Sequence, residues 1–362
     1  LLATVVPGAF GAWMRMLADH GSLPLRQILE PAVSYARDGH PMLAAAANMI
    51  ATNADFFREE WPTSAETWLP GNAVPQAGEL FRNPELADFW DRLLAEAEAV
   101  EGREAQIEAA RRAFYEGFVA EAIDTYLQDA CVMDGTGVRR KVVLTGADMA
   151  GWSAAVEPAI SVDHAGWTVF KAGAWTQGPA LLQSLRIAEV KSTGALDPLS
   201  AEFVHQAAET IKLAMADRES YYGDPDQSEI PLETLLSKDY AEQRAALIGD
   251  AASYEQRPGE IAGFEHQTQA FKRRAEAMKV EGAGPVGAEP TMAHLDNREG
   301  DTVHIDVIDR WGNMVSATPS GGWLQSNPVV PGLGVPLNSR AQMFWLEEGL
   351  PTSLAPGRRP RI

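Results

Sequence analysis

The sequence contains a single cysteine, Cys131, among 362 residues. One thiol cannot form an internal disulfide, so cysteine usage leaves the redox compartment open. Basic residues are also scarce, because 30 Lys and Arg stand against 50 Asp and Glu, for a formal net charge of −20. A surface with that charge repels phosphate backbones and anionic membranes, so we expect no nucleic-acid partner. No uncharged apolar run is long enough to span a bilayer, and we expect no membrane partner.

Patterns for metals and nucleotide cofactors are missing as well. No group of His, Cys and Glu residues has metal-ligand spacing. Gly332 and Gly334 do not form a dinucleotide fingerprint, because no strand–turn–helix unit surrounds them. We therefore expect no metal and no cofactor. Cys131 follows an apolar stretch with helical spacing, so we expect its thiol to be buried and inert.

The composition is that of an ordinary globular protein, with 46% hydrophobic and 22% charged residues. The chain has no initiator Met and ends in an Arg- and Pro-rich stretch. We interpret it as an internal fragment, so the missing signal peptide leaves a cytoplasmic and a periplasmic location equally open.

The hydrophobic periodicity changes along the chain. It predicts helices over 7–17, 23–36, 41–58, 84–99 and 103–129. After residue 150 it predicts a strand over 166–170 and helices over 180–190 and 199–221, the last ended by the sequence Tyr222-Gly223-Asp224-Pro225. A Gly- and Pro-rich stretch over about 280–301 predicts a flexible processing linker. A helical part followed by β hairpins predicts an α+β fold class.

The residues after the linker alternate like a β-strand. Val303, Ile305 and Val307 fall on one face, and Thr302, His304 and Asp306 fall on the other. Residues 310–313 predict a turn, and 314–318 predict a second strand. The chain therefore becomes rigid where Thr302 begins a strand.

A threonine at that position can act as a nucleophile if it becomes the first residue of a chain. Its own α-amino group then takes the proton of its hydroxyl, and such an amine has a pKa of about 7.7–8.0. This arrangement needs a cut between Asp301 and Thr302. The sequence predicts self-processing at that bond.

Several motifs, in the same order, resemble those of the gamma-glutamyltranspeptidase family, whose members are N-terminal-nucleophile hydrolases. Thr302-Val303-His304 with the Asp309–Ser316 turn is similar to the start of the family's small subunit. The further matches span nearly the whole chain: Val5-Pro7-Gly8-Ala9, Leu29-Glu30-Pro31-Ala32, Ala36-Arg37-Asp38-Gly39, Lys212–Pro225, Val330–Gly334 and Pro356–Pro360.

The resemblance implies an αββα sandwich with a largely helical large-subunit portion. It implies a large-subunit portion over 1–301 and the start of a small subunit over 302–362, together forming one intertwined structural domain truncated at both ends. Thr302 would attack the carbonyl of Asp301, giving a heterodimer of the two cleavage products. It would then attack a substrate amide and pass the acyl group to water or an amine.

Other positions match the family motifs individually. Ser320 matches a hydroxyl that supports the nucleophile, with Thr318 just before it, and Gly322 stands where transpeptidases carry an Asn. His304 shares the face of Thr302, either as a catalytic group or as a structural histidine. We expect Asp217, Arg218 and Asp224 to form structural ion pairs and caps, and the last ends the 199–221 helix.

Two substitutions bear on the substrate. Transpeptidases tend to have Gln where Arg340 stands, and an Asp that binds the substrate amine where Met343 stands. A thioether cannot pair with an ammonium, whereas Arg340 attracts a carboxylate. The sequence therefore favours a small acidic amide without an α-amine, as in the acylase and amidohydrolase members.

Two alternatives stay open: a true gamma-glutamyltransferase or glutathione hydrolase, and an unprocessed, non-catalytic homologue that binds small acids. The arginine for the substrate carboxylate and the oxyanion hole are expected outside this fragment.

Overall fold

A computed structural model describes residues 2–134, 137–281, 303–319, 321 and 324–361. It is α+β, with about half of the chain helical and the strands short. The α-helices are α1 (Ala9–His20), α2 (Leu25–Asp38), α3 (Ala44–Glu60), α4 (Pro62–Trp68), α5 (Pro84–Glu98), α6 (Arg103–Tyr115), α7 (Phe118–Asp129), α8 (Gly146–Ala150), α9 (Gly178–Val190), α10 (Ala201–Tyr221), α11 (Leu232–Leu235), α12 (Lys238–Ala245) and α13 (Glu265–Glu281). The strands are β1 (His40–Pro41), β2 (Leu80–Phe81), β3 (Val132–Met133), β4 (Arg139–Arg140), β5 (Ile160–His164), β6 (Trp167–Lys171), β7 (Ile305–Ile308), β8 (Met314–Ala317), β9 (Val329–Val330) and β10 (Val335–Pro336).

The described strands pair in twos, each pair antiparallel and made of neighbours in sequence. The chain folds into two compact units. Unit 1 comprises 1–155 and 290–341, and unit 2 comprises 156–289 and 342–362. The two compact units divide the chain at positions other than the predicted cleavage site between residues 301 and 302. That cleavage stays a prediction. No helix in the described ranges is both long and apolar enough to cross a membrane.

The core of unit 1 lies among α1, α2 and α5–α8. Phe10 and Phe114 stack there with ring centroids 4.5 Å apart, and Phe89 packs at a tilt against Phe114. Val330 and Leu333, both from beyond residue 302, are fully buried in the same cluster. Part of the segment after the proposed cut therefore belongs to the core of unit 1. Its burial stabilises this unit, because buried apolar area is the main source of stability.

The Val-Pro-Gly motif begins α1 through close backbone packing. The Tyr115 hydroxyl donates to the Pro7 carbonyl at 2.7 Å and accepts from the Gly11 N–H at 2.9 Å. Burial raises the pKa of Tyr115 to about 12, so the hydroxyl keeps its proton and stays a donor. Gly8 and Gly11 pack against the Trp152 ring, where a Cβ on Gly11 would come within 2.7 Å.

The N-terminus of α5 holds a loop from beyond residue 302. The Asn83 side chain caps α5 by accepting from the Leu86 N–H at 3.0 Å, and its amide donates to the Gly334 carbonyl at 2.8 Å. Gly334 has φ 65°, and a Cβ there would lie 2.6 Å from the Leu86 nitrogen. Only glycine fits this approach, which explains the second glycine of the 330–334 motif.

Unit 2 is built around the long helix α10. Ser200 caps its start by accepting from the Phe203 N–H at 3.1 Å. Towards its end, Asp217 is fully buried, pairs with Arg244 at 3.1 Å and accepts from the Gly259 N–H at 2.6 Å. Asp217 therefore joins α10 to α12 and to the loop before α13. A buried carboxylate is tolerated there because several donors meet it.

The last residues described are anchored in unit 2 by arginines. Arg359 donates to the buried Asp224 through Nε at 3.0 Å and Nη2 at 2.7 Å. Arg361 donates to Glu219 at 2.5 Å and to the Arg218 carbonyl at 2.6 Å. Burial, together with the nearby Arg218 charge, lowers the pKa of Arg361 to about 10. The expectation that Asp217, Arg218 and Asp224 form structural ion pairs is confirmed, since Arg218 also pairs with Glu219.

The described helices and strands confirm most predicted elements, with three corrections. The predicted helix over 103–129 is broken into α6 and α7 at Gly117, whose backbone is extended (φ −117°, ψ −145°). Strand β5 is among the described elements that went unpredicted, although Ile160 and Val162 alternate with Ser161 and Asp163. Cys131 is exposed, not buried, because α7 ends at Asp129 and the thiol lies on the coil before β3.

Candidate active site

The β7–β8 hairpin begins just after the predicted cut. Its register pairs Ile305 with Ala317 and Ile308 with Met314. Asp309 closes the turn by accepting from the Trp311 and Asn313 N–H groups, both at 2.9 Å. The hydrogen bond from the Asn313 side chain, together with these backbone bonds, holds the pKa of Asp309 below its usual value. The predicted turn and second strand are confirmed, although the regular pairing starts at Ile305.

His304 lies in a row of hydrogen bonds on the polar face of this hairpin. Its Nδ1 is 2.7 Å from the Thr318 hydroxyl, and its Nε2 is 2.9 Å from the Asp306 carboxylate. Ser316 Oγ is 3.5 Å from the same Nε2, at the limit for a hydrogen bond. Both ring nitrogens of His304 are therefore engaged in the unit described.

Four of the predicted site residues lie outside the described residues: Asp301, Thr302, Ser320 and Gly322. Gly321, between the last two, is described, and its carbonyl accepts from the Ser339 N–H at 3.1 Å. This bond places the backbone that follows β8 beside the segment carrying Arg340.

Arg340 is buried, with 8% of its surface exposed. The preceding Asn338 positions it, because the Asn338 carboxamide oxygen accepts from the Arg340 N–H at 3.2 Å. The same side chain grips Val5, accepting from its N–H at 3.1 Å and donating to its carbonyl at 2.6 Å. The backbone of Arg340 is thus fixed at the start of a short 3₁₀ turn (Arg340–Met343), and a guanidinium is a side chain suited to bind a carboxylate.

Met343 ends that turn and is half-buried. Its thioether offers neither a charge nor a strong acceptor. Within the described ranges, no three His, Cys, Asp or Glu side chains are grouped as a metal site.

Sequence reasoning missed two residues of this region. Asn338 was passed over because its partner, Val5, is 333 positions away and contributes only backbone atoms. Asp306 was assigned to the polar face by strand alternation alone. Its contact with His304, two positions earlier, is a same-face pair that the period-2 pattern could have indicated.

The sequence profile of the gamma-glutamyltranspeptidase family matches residues 1–362. The chain belongs to that family. A curated relative, the glutathione hydrolase-like YwrD proenzyme of Bacillus subtilis, is 30% identical over 358 residues, which cover 99% of this chain and 56% of the relative. The chain thus spans about half the length of the curated relatives it matches.

Among the solved structures that resemble this one are the following two. LmbA2991T421A is 48% identical, with a TM-score of 0.85 over 99% of this chain and 59% of the other. The cephalosporin acylase from Bacillus halodurans is 25% identical, with a TM-score of 0.73 over 99% of this chain and 55% of the other. The predicted α+β N-terminal-nucleophile hydrolase fold is confirmed by these neighbours; within the described part of this chain, the strands contribute as paired hairpins.

Proposed function

We propose that the protein is a self-processing amide hydrolase or acyltransferase that uses Thr302 as its nucleophile and acts on a small acidic amide. The observation that carries the proposal is the β7–β8 hairpin, whose polar face carries hydrogen-bonded His304, Asp306 and Thr318 immediately after the predicted cut. The family and the proenzyme relative support processing and amide hydrolysis.

The proposed chemistry has two stages. In the first, the Thr302 hydroxyl attacks the carbonyl carbon of Asp301, and its proton passes to the Thr302 nitrogen as the 301–302 C–N bond breaks. Water then opens the resulting ester to give the Asp301 carboxyl group and the free Thr302 hydroxyl. In the second, the freed α-amino group takes the Thr302 hydroxyl proton as the oxygen attacks the substrate amide. The leaving amine carries that proton away, and water or an amine releases the acyl group. The two chain pieces remain together as a heterodimer.

Arg340 and Met343 support the choice of an acidic substrate. Arg340 is buried, its backbone N–H is bound by Asn338, and its guanidinium is suited to bind a carboxylate. Met343 stands where transpeptidases tend to have an acid that pairs with the substrate ammonium. Without that partner, a desolvated ammonium loses about 2–5 kcal/mol of binding free energy. One of the similar solved structures is named a cephalosporin acylase.

Intact-mass analysis of the full-length protein tests the nucleophile. The wild type should give two polypeptides separated at the 301–302 bond, and Thr302→Ala should give one uncut chain. A wild-type chain that stays intact while active would refute the mechanism, and an intact, inactive one would favour the non-catalytic small-acid binder.

A matched substrate pair tests the acid preference. Glutaryl anilide and γ-glutamyl anilide differ only in the α-ammonium of the second. We expect kcat/KM to favour glutaryl anilide by about 10-fold or more, and Met343→Asp to reverse that order. Preference of the wild type for γ-glutamyl anilide would instead support the glutathione hydrolase alternative.

A further inference from the structure

The backbone on both sides of Arg340 is bonded to the first residues of the chain. Before it, the Asn338 side chain accepts from the Val5 N–H at 3.1 Å and donates to the Val5 carbonyl at 2.6 Å. After it, the Ala341 N–H donates to the Ala3 carbonyl at 2.7 Å. A carboxamide offers the same donor and acceptor as a peptide group, so Asn338 binds Val5 as a neighbouring strand would. The same Asn338 oxygen also accepts from the Arg340 N–H, at 3.2 Å.

A second asparagine, Asn327, holds the same two segments together. Its amide nitrogen lies 2.5 Å from the Asn338 carbonyl, 3.2 Å from the Leu337 carbonyl and 3.3 Å from the Thr4 hydroxyl. Asn327 is 1% exposed and Thr4 is 4% exposed, so water does not compete for these bonds. A buried polar group that loses its partner carries a large desolvation penalty, which opposes separation of the two segments. We refer to Asn327 and Asn338 as the asparagine clamp.

We propose that the asparagine clamp determines the acid preference of the enzyme, because its two members fix the backbone from which Arg340 projects. This inference rests on the proposed function, in which Arg340 binds the substrate carboxylate. The arginine side chain is long and has several rotatable bonds, so the position of its guanidinium depends on a fixed backbone. Asn327 and Asn338 are positioning residues, and neither takes part in the bond-making steps. The clamp should therefore affect binding of the acid group and leave the chemical step unchanged.

The clamp also joins the two proposed cleavage products. Thr4 and Val5 precede the 301–302 bond, whereas Asn327, Asn338 and Arg340 follow it. A purely structural role would be to hold these pieces together, and loss of either asparagine would then lower the turnover of every substrate alike. A positioning role predicts a loss that is confined to substrates with an acid group.

A matched substrate pair separates the two roles. Glutaryl anilide and pentanoyl anilide have acyl chains of the same length, and only the first carries a terminal carboxylate. In the full-length protein, Asn338→Ala should raise KM for glutaryl anilide by about 10-fold with kcat unchanged, and should leave kcat/KM for pentanoyl anilide at its wild-type value. Turnover of pentanoyl anilide also reports that the variant is folded. Asn327→Ala, which leaves the bonds to Val5 in place, is the second variant and should change KM in the same direction.

A double variant tests whether the clamp acts through Arg340. Arg340→Gln should lower the ratio of kcat/KM for glutaryl anilide to that for pentanoyl anilide, and adding Asn338→Ala should lower the ratio no further. The control is Asn48→Ala, at an exposed position of α3, with wild-type values for both substrates. Equal losses on the two substrates in the clamp variants, or a further loss of the ratio in the double variant, would overturn the inference.

The wild type decides the proposed function separately. A wild type that does not prefer glutaryl anilide over pentanoyl anilide would contradict the role of Arg340, and the inference would fail with it. A wild-type preference that both clamp variants retain in full would contradict this inference alone and leave the proposed function standing.

Discussion

Gly11 lies inside α1, at a position where helix propensity alone favours alanine by about 1 kcal/mol. Packing opposes that preference. A Cβ at this position would come within 2.7 Å of the Trp152 ring and 2.9 Å of the Tyr115 hydroxyl. The same hydroxyl accepts from the Gly11 N–H and donates to the Pro7 carbonyl, so Tyr115 cannot withdraw without breaking these bonds.

We therefore predict that Gly11→Ala destabilises the protein by about 1–3 kcal/mol, the usual cost of overpacking a core. Urea unfolding followed by circular dichroism measures the change. Gly194→Ala is the matched control, because no atom lies within 4 Å of a Cβ there and its φ is not positive. Equal stability of the Gly11 and Gly194 variants would show that Trp152 and Tyr115 can move aside.

In unit 2, buried ion pairs join the secondary-structure elements. Asp224 and Asp226 carry the same charge but differ in burial, so comparing their substitutions separates the two effects. Asp224 and Asp226 both accept from Arg359, but Asp224 is 1% exposed whereas the Asp226 side chain is 79% exposed. We predict that Asp224→Asn costs about 3 kcal/mol, since it leaves a guanidinium short of its buried partner. Asp226→Asn should cost less than about 1 kcal/mol. Urea unfolding of the two variants checks this, and equal losses would contradict it.

Lowering the pH should break the ion pair between Asp224 and Arg359. Burial alone would raise the pKa of Asp224, but hydrogen bonds from Arg359 outweigh it and hold the pKa below its usual value. A lowered pKa in the folded state stabilises above the unfolded pKa of about 3.9, and the gain is lost as pH falls through the folded value. The free energy of unfolding should therefore drop between pH 6 and pH 3 by more in the wild type than in Asp224→Asn. Parallel pH profiles would argue against this coupling.

The sequence predicted these elements unevenly, for physical reasons. Helices α9 and α10 were found because their apolar spacing and end signals are local. The gap between α6 and α7 was missed, because Gly117 ends one helix and begins the next without interrupting the apolar pattern. The polar face of β7 was predicted from the alternation of polar and apolar residues alone. The Asn338–Val5 and Asn83–Gly334 contacts could not be predicted, because each joins a side chain to a distant backbone.

At the scale of the whole molecule, the chain beyond residue 302 is divided between the two units. Residues up to 341 belong to unit 1 and those from 342 onwards to unit 2. In unit 1, Leu333 is buried in the core and Asn338 binds Val5. In unit 2, Arg359 and Arg361 bind acids of the Tyr222–Pro225 turn and the end of α10. Each unit thus has its own anchors for the later segment.

We therefore predict that cleavage at the 301–302 bond leaves the two pieces associated. The processed full-length protein should elute from a size-exclusion column at the volume of the uncut Thr302→Ala variant, and separate into two bands only on a denaturing gel. Buried apolar contacts and buried ion pairs hold the pieces in both units, so 0.5 M salt, which screens exposed charges, should not release either piece. Asn338→Ala combined with Asp224→Asn weakens one anchor in each unit and should lower the urea concentration at which the pieces part. Elution of separate pieces from the wild type without denaturant would mean that these contacts do not survive the cut.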